Sequence, residues 1–133
     1  MKRIFKQALL IDDEAPMRDA ASALLSELGY EVHVARDGAE GLQLLESGLR
    51  AAVILIDLFM PTLDAVGFRR RQLADPKMAE IPTVIMTTTE LVGVVAGSIG
   101  LPLLRKPFDR KALEAALRAA QPVRERSVKS SWL

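Results

Sequence analysis

The stretch Ala51-Ala52-Val53-Ile54-Leu55-Ile56-Asp57 is an unbroken apolar run that stops at a carboxylate. A run of that length without alternation reads as a strand buried on both faces, which is the habit of parallel sheets. Upstream, Ala8-Leu9-Leu10-Ile11 has the same character and stops at Asp12-Asp13. Between these two strands the period changes. Ala21, Leu24, Leu25 and Leu28 recur at helical spacing and Gly29 follows as a C-terminal cap. Glu31 to Ala35 alternates like a strand, and Asp37 is placed to cap a helix through Leu42 and Leu45 that ends near Gly48. Downstream, a helix from about Asp64 is expected to turn Phe68 and Leu73 inward and Arg69, Arg70 and Arg71 mostly outward. Thr83 to Met86 is strand-like, Leu103-Leu104 is a short fifth strand, and Asp109 caps a last helix stopped before Pro122.

Strand and helix thus alternate five times. That order implies an α/β fold, a five-stranded parallel sheet doubly wound as (βα)5 with helices on both faces. In such sheets the site lies outside the carboxyl ends of the strands. Those ends carry Asp12, Asp13 and Asp57, then Thr87, then Lys106-Pro107-Phe108. Crowded carboxylates raise one another's pKa unless a cation intervenes. With oxygen ligands only, the cation of choice is Mg²⁺. Lys106 suits a phosphoryl oxygen and Thr87 can donate a hydrogen bond to another. The set fits phosphoryl transfer by positioning and charge neutralisation, with Asp57 as nucleophile. Taken singly, each residue has a bland alternative: a helix cap for Asp12 or Asp13, a loop residue for Asp57, a turn for Lys106-Pro107. Their joint placement at four strand ends favours the site.

Composition narrows the field. The chain has 133 residues, 18 basic and 17 acidic, a net charge of +1. Bulk charge therefore excludes a strongly basic nucleic-acid binder. There is no cysteine, so disulfides, thiolate catalysis and cysteine-held metals are excluded, and the single histidine, His33, reads as an edge or surface residue. The four-residue apolar run before Asp12 is too short for a signal-peptide core. The longest uncharged stretch, Leu91 to Leu104, is too short for a membrane span. A cytoplasmic protein with no membrane contact is the expectation.

At these residues the chain resembles the receiver domain of two-component response regulators, with its CheY-like, flavodoxin-like fold. The matching segments are Leu9-Leu10-Ile11-Asp12-Asp13-Glu14, Ile54 to Pro61, Ile81 to Thr87, and Leu104-Arg105-Lys106-Pro107-Phe108. The resemblance implies a receiver over residues 6–121; residues 122–133 lack a folding pattern and read as a flexible tail, with a short docking peptide anchored by Trp132 as the alternative. It implies that Asp57 is the phosphoacceptor. Asp13 would hold Mg²⁺ directly with Asp57 and the backbone carbonyl of Phe59, and Asp12 would act largely through water. Thr87 and Lys106 would engage the phosphoryl group. The donor would be a sensor histidine kinase or a histidine phosphotransfer protein. Output would come through a downstream protein target, with no direct nucleic-acid contact, from a stand-alone receiver that is not an enzyme in its own right.

The chain departs from the family pattern in three places. Asp64-Ala65 stands where Asp-Gly is usual, which would carry a cost if that position needs a glycine angle. Leu103 replaces the usual switch tyrosine or phenylalanine and has no ring to flip. Glu90 is the one charge between Thr87 and Leu104, and Gly93, Gly97 and Gly100 disfavour a helix there. The fourth helix is therefore expected to be irregular or shortened, its apolar residues folded back on the core, with a homodimer through the fourth-helix and fifth-strand face as the alternative. Rival readings are a phosphorylation-independent pseudo-receiver that binds protein, and an aspartate-nucleophile phosphohydrolase. The latter would want a second acid where Phe59 stands. A flavin site is disfavoured because the acids of the first turn would repel the flavin phosphate.

Overall fold

The computed structural model describes residues 6–60, 62–88 and 100–122. Five strands, β1 (Lys6–Ile11), β2 (Tyr30–Ala35), β3 (Ala51–Asp57), β4 (Thr83–Thr87) and β5 (Leu103–Arg105), form one parallel sheet in the order β2-β1-β3-β4-β5. Four helices are described: α1 (Ala15–Glu27), α2 (Gly38–Glu46), α3 (Ala65–Ala74) and α4 (Arg110–Ala120). The fourth helix expected near Leu91 and the tail from Val123 lie outside the described residues.

The apolar runs do what continuous runs predict. Alternate residues of each strand enter opposite cores. Ala8, Leu10, Val53, Leu55, Val84 and Met86 pack with Leu25 of α1 and Leu113 of α4. Leu9, Ile11, Ile54, Ile56 and Ile85 pack with Leu42 of α2 and Phe68 of α3. The sheet is thereby covered on both faces, and its carboxyl edge is left for chemistry.

Caps fix where the helices begin. Asp37, Asp64 and Asp109 each accept the backbone N–H three residues on, from Glu40, Gly67 and Ala112 at 2.8–2.9 Å. Gly29 closes α1 at a φ of +95°, the left-handed conformation that glycine adopts without steric penalty. Ala65 takes no such angle. It is buried as the first residue of α3, and the positive φ in this loop belongs to Thr62 at 70°. The alanine that departs from the family pattern therefore carries no backbone penalty.

Helix α3 corrects the expected phase. Leu73 is 55% exposed, while Ala65, Phe68 and Gln72 face inward. Gln72 is fully buried because its amide is satisfied: the two N–H groups of Nε2 are shared among Met78 O, Ile81 O and Thr83 Oγ1 at 3.0–3.2 Å. Arg69, expected outward, is partly buried and donates from Nη1 to Gln72 Oε1 at 2.9 Å. Polar bonding to the turn before β4 thus sets the helix phase. Gln72→Leu would strand these groups and should cost about 2 kcal/mol. Leu73→Gln, on the exposed face, should stay within about 0.5 kcal/mol of wild type. Chemical denaturation of both variants checks this; the reverse ranking would refute it.

Candidate functional site

Sheet order places the site. The chain leaves β1 for the edge strand β2 and returns past β1 to β3, so helices diverge on either side of the β1/β3 boundary. This is the switch point at which parallel sheets open a crevice. Ile11 pairs in register with Ile56, and Asp57 with Met86. The residues that follow β1 and those that end β3 and β4 therefore meet at one rim.

Asp12 is fully buried and held at every polar atom. Its N–H donates to Ala35 O at 3.1 Å. Its Oδ1 accepts from Glu14 N–H at 3.0 Å, and its Oδ2 accepts from Lys106 Nζ at 2.5 Å. Its carbonyl accepts from Arg18 Nη1 at 2.8 Å. Asp13, the next residue, is exposed. The adjacent acids thus divide into an anchored one and a free-facing one.

Lys106 follows β5 directly, and its N–H donates to Thr87 O at 2.9 Å, extending the ladder by one residue. The side chain is buried and its ammonium reaches both Asp12 and, at 3.4 Å, Asp57 Oδ2. Thr87 ends β4 fully buried at the same rim. Phe59, two residues past Asp57, turns its ring outward and is 61% exposed. Asp12, Asp13, Asp57 and Lys106, expected together at the strand ends, are brought together. Thr89, which by the family resemblance would with Phe59 shape the approach of water to Asp57, lies outside the described residues.

Asp57 is 8% exposed, and its pKa is pushed up to about 6. Desolvation is the main cause; Asp12 and Asp13 add to it, and Lys106 opposes it. Oxygens of Asp12, Asp13 and Asp57 lie within 4.8 Å of one another. Against the one ammonium of Lys106, three ionised carboxylates leave a formal excess of two negative charges. All-oxygen donors with that excess suit a hard divalent cation, so the residues present fit the ion expected from sequence. Sequence reading missed Arg18. Its target is a main-chain carbonyl, which leaves no mark in the pattern of side chains.

A family model described as "Response regulator receiver domain" matches residues 8–118. The "Probable transcriptional regulator ycf27" of Guillardia theta is 38% identical over 120 residues, covering 86% of this chain and 44% of that protein. The "Response regulator Rre1" of Synechocystis is 32% identical over 114 residues, covering 83% and 49%. The chain thus spans about half the length of these relatives. Among solved structures, chemotaxis protein CheY4 of Vibrio cholerae superposes with a TM-score of 0.77 at 26% identity, covering 89% of this chain and all of that one. A receiver domain protein from Clostridium thermocellum gives 0.74 at 27% identity, covering 86% and 93%.

The raised pKa has a consequence for stability. An acid whose folded pKa exceeds its unfolded value favours folding fully below the unfolded value, near 3.8, and loses that contribution as pH rises through about 6. Above pH 6 the ionised Asp57 therefore weakens the metal-free fold. Asp57→Asn should stabilise the protein at pH 7.5 by up to about 3 kcal/mol, and the gain should vanish near pH 4. Denaturant melts in chelator at both pH values test this; a gain independent of pH would rule out the ionisation account.

Proposed function

The chain belongs to the receiver-domain family of response regulators, and from that premise we propose that it accepts a phosphoryl group on Asp57 and signals by phosphorylation-dependent protein contact. The observation that carries this reading is Lys106, whose buried ammonium bridges Asp12 and Asp57 within the carboxylate cluster. A buried cation beside a buried nucleophile is what a transferred phosphoryl group requires, because the reaction adds anionic oxygens where negative charge already crowds.

In the proposed reaction an Asp57 carboxylate oxygen attacks the donor phosphorus. A new O–P bond forms as the P–N bond of a phosphohistidine breaks, and the imidazole nitrogen leaves with the electron pair. Lys106 pairs with one phosphoryl oxygen and the Thr87 hydroxyl donates to another. Asp13, Asp57 and the Phe59 backbone carbonyl would hold Mg²⁺, with Asp12 acting through water. When bound, the ion neutralises the charge that develops on the phosphoryl oxygens. Asp12, already engaged by Glu14 N–H and Lys106, orients that lysine. The donor would be a sensor histidine kinase or a histidine phosphotransfer protein, and the recipient of the signal a downstream protein. The chain is on this reading a phosphoacceptor that assists its own modification, acting in the cytoplasm. Among the described residues no helix is long and apolar enough to cross a membrane.

Incubation with Mg²⁺ and acetyl phosphate should add the mass of one phosphoryl group. Asp57→Asn should abolish the gain and leave the fold intact, and phosphorylation of that variant would overturn the assignment. The lifetime of the phosphoryl group follows from Phe59. Hydrolysis needs a water in line with the phosphorus, and an outward phenyl ring beside the nucleophile cannot orient one. Slow autodephosphorylation is expected, and Phe59→Asn should accelerate decay several-fold in a time course of the phosphoprotein. Equal or slower decay would exclude a role for Phe59.

A further inference from the structure

We propose that Arg18 is a positioning residue for the cation site, acting on Asp13 through the main chain. Arg18 sits in the first turns of α1, where its N–H bonds to Glu14 O at 2.9 Å. Side chains on a helix lean toward its N-terminus. The guanidinium accordingly reaches back over the turn, and Nη1 donates to Asp12 O at 2.8 Å. That carbonyl belongs to the planar peptide joining Asp12 to Asp13. Holding its oxygen restrains the plane from which Asp13 departs, and so narrows the range of directions its exposed carboxylate can take.

Asp12 needs no such help for its own side chain. Both carboxylate oxygens and the N–H are held by Glu14, Lys106 and Ala35. Asp13 is different: it is exposed, yet it must present an oxygen to the cluster it shares with Asp12 and Asp57. The Arg18 contact therefore restrains the one acid of the three that packing leaves loose. An ion that takes a strict octahedral arrangement is sensitive to that restraint. Arg18 also carries positive charge, which taken alone would oppose a cation. The two effects have opposite signs, so measurement separates them.

The inference rests on the Mg²⁺ reading of the site. Titration calorimetry with Mg²⁺ alone should show a Kd about tenfold weaker for Arg18→Met than for wild type, the size expected for losing a hydrogen bond from a charged donor. Arg18→Lys, which keeps one donor and the charge, should fall between them. With acetyl phosphate, the half-saturating Mg²⁺ concentration should rise in parallel while the rate at saturating Mg²⁺ changes little. A purely structural role would lower the melting temperature and leave the Mg²⁺ Kd unchanged, which would overturn the proposal. Tighter Mg²⁺ binding in Arg18→Met would also overturn it, since charge alone would then be acting. Should Arg18→Met fail to fold, an Arg18→Lys Kd equal to wild type is sufficient refutation. Wild-type protein that binds no Mg²⁺ would remove the metal reading and this inference with it, whereas wild-type binding with unaffected variants removes the inference alone.

Discussion

A buried ammonium between two carboxylates holds the carboxyl edge of this sheet together. Lys106 Nζ contacts Asp12 and Asp57 where water scarcely reaches. Burying ions costs several kcal/mol each, and their attraction offsets this only when the remaining lone pairs are also satisfied. Asp12 meets that condition through Glu14 N–H and Lys106. Asp57 meets it less well, and desolvation raises its pKa despite the nearby ammonium. The balance leaves one acid settled and one reactive, divided by which oxygens have partners.

The sheet makes this arrangement affordable. Each of the central strands β1, β3 and β4 is buried on both faces, and apolar residues make up nearly all of the register between them. Apolar burial contributes roughly 25 cal/mol per Å², and the stability it supplies tolerates a strained edge. Asp57 itself belongs to neither apolar layer. A substitution such as Asp57→Asn can therefore change the chemistry without dismantling the scaffold, which makes the site assignable by mutation.

The strands and the acids at their ends were legible because both are local signals: an unbroken apolar run, then a carboxylate. The caps Asp37 and Asp109 were legible for the same reason. The phase of α3 was not. Hydrophobicity assigns Leu73 to the core, and the structure buries Gln72 instead because carbonyls of Met78 and Ile81 offer the glutamine amide partners that no periodicity can count. Arg18 was hidden for a similar reason. The different fates of Asp12 and Asp13 depend on Lys106, 94 positions downstream of Asp12, and only the fold brings that residue near.

Leu103 bears on how a change at Asp57 would leave the site. In the family the position carries an aromatic ring that moves with the hydroxyl residue of β4. Here Leu103 pairs in register with Ile85, two residues before Thr87, and packs into the layer with Ile11, Ile56 and Ile85. A leucine packed in that layer has no ring to exchange between two positions. Movement of Thr87 toward a phosphoryl oxygen would instead pull on β4, whose Thr87 carbonyl holds the Lys106 N–H and whose Thr87 pairs with Arg105. The same backbone step carries the ammonium. Under the proposed function, a displacement of Thr87 would therefore act on the β4–β5 edge through the same main chain that positions Lys106.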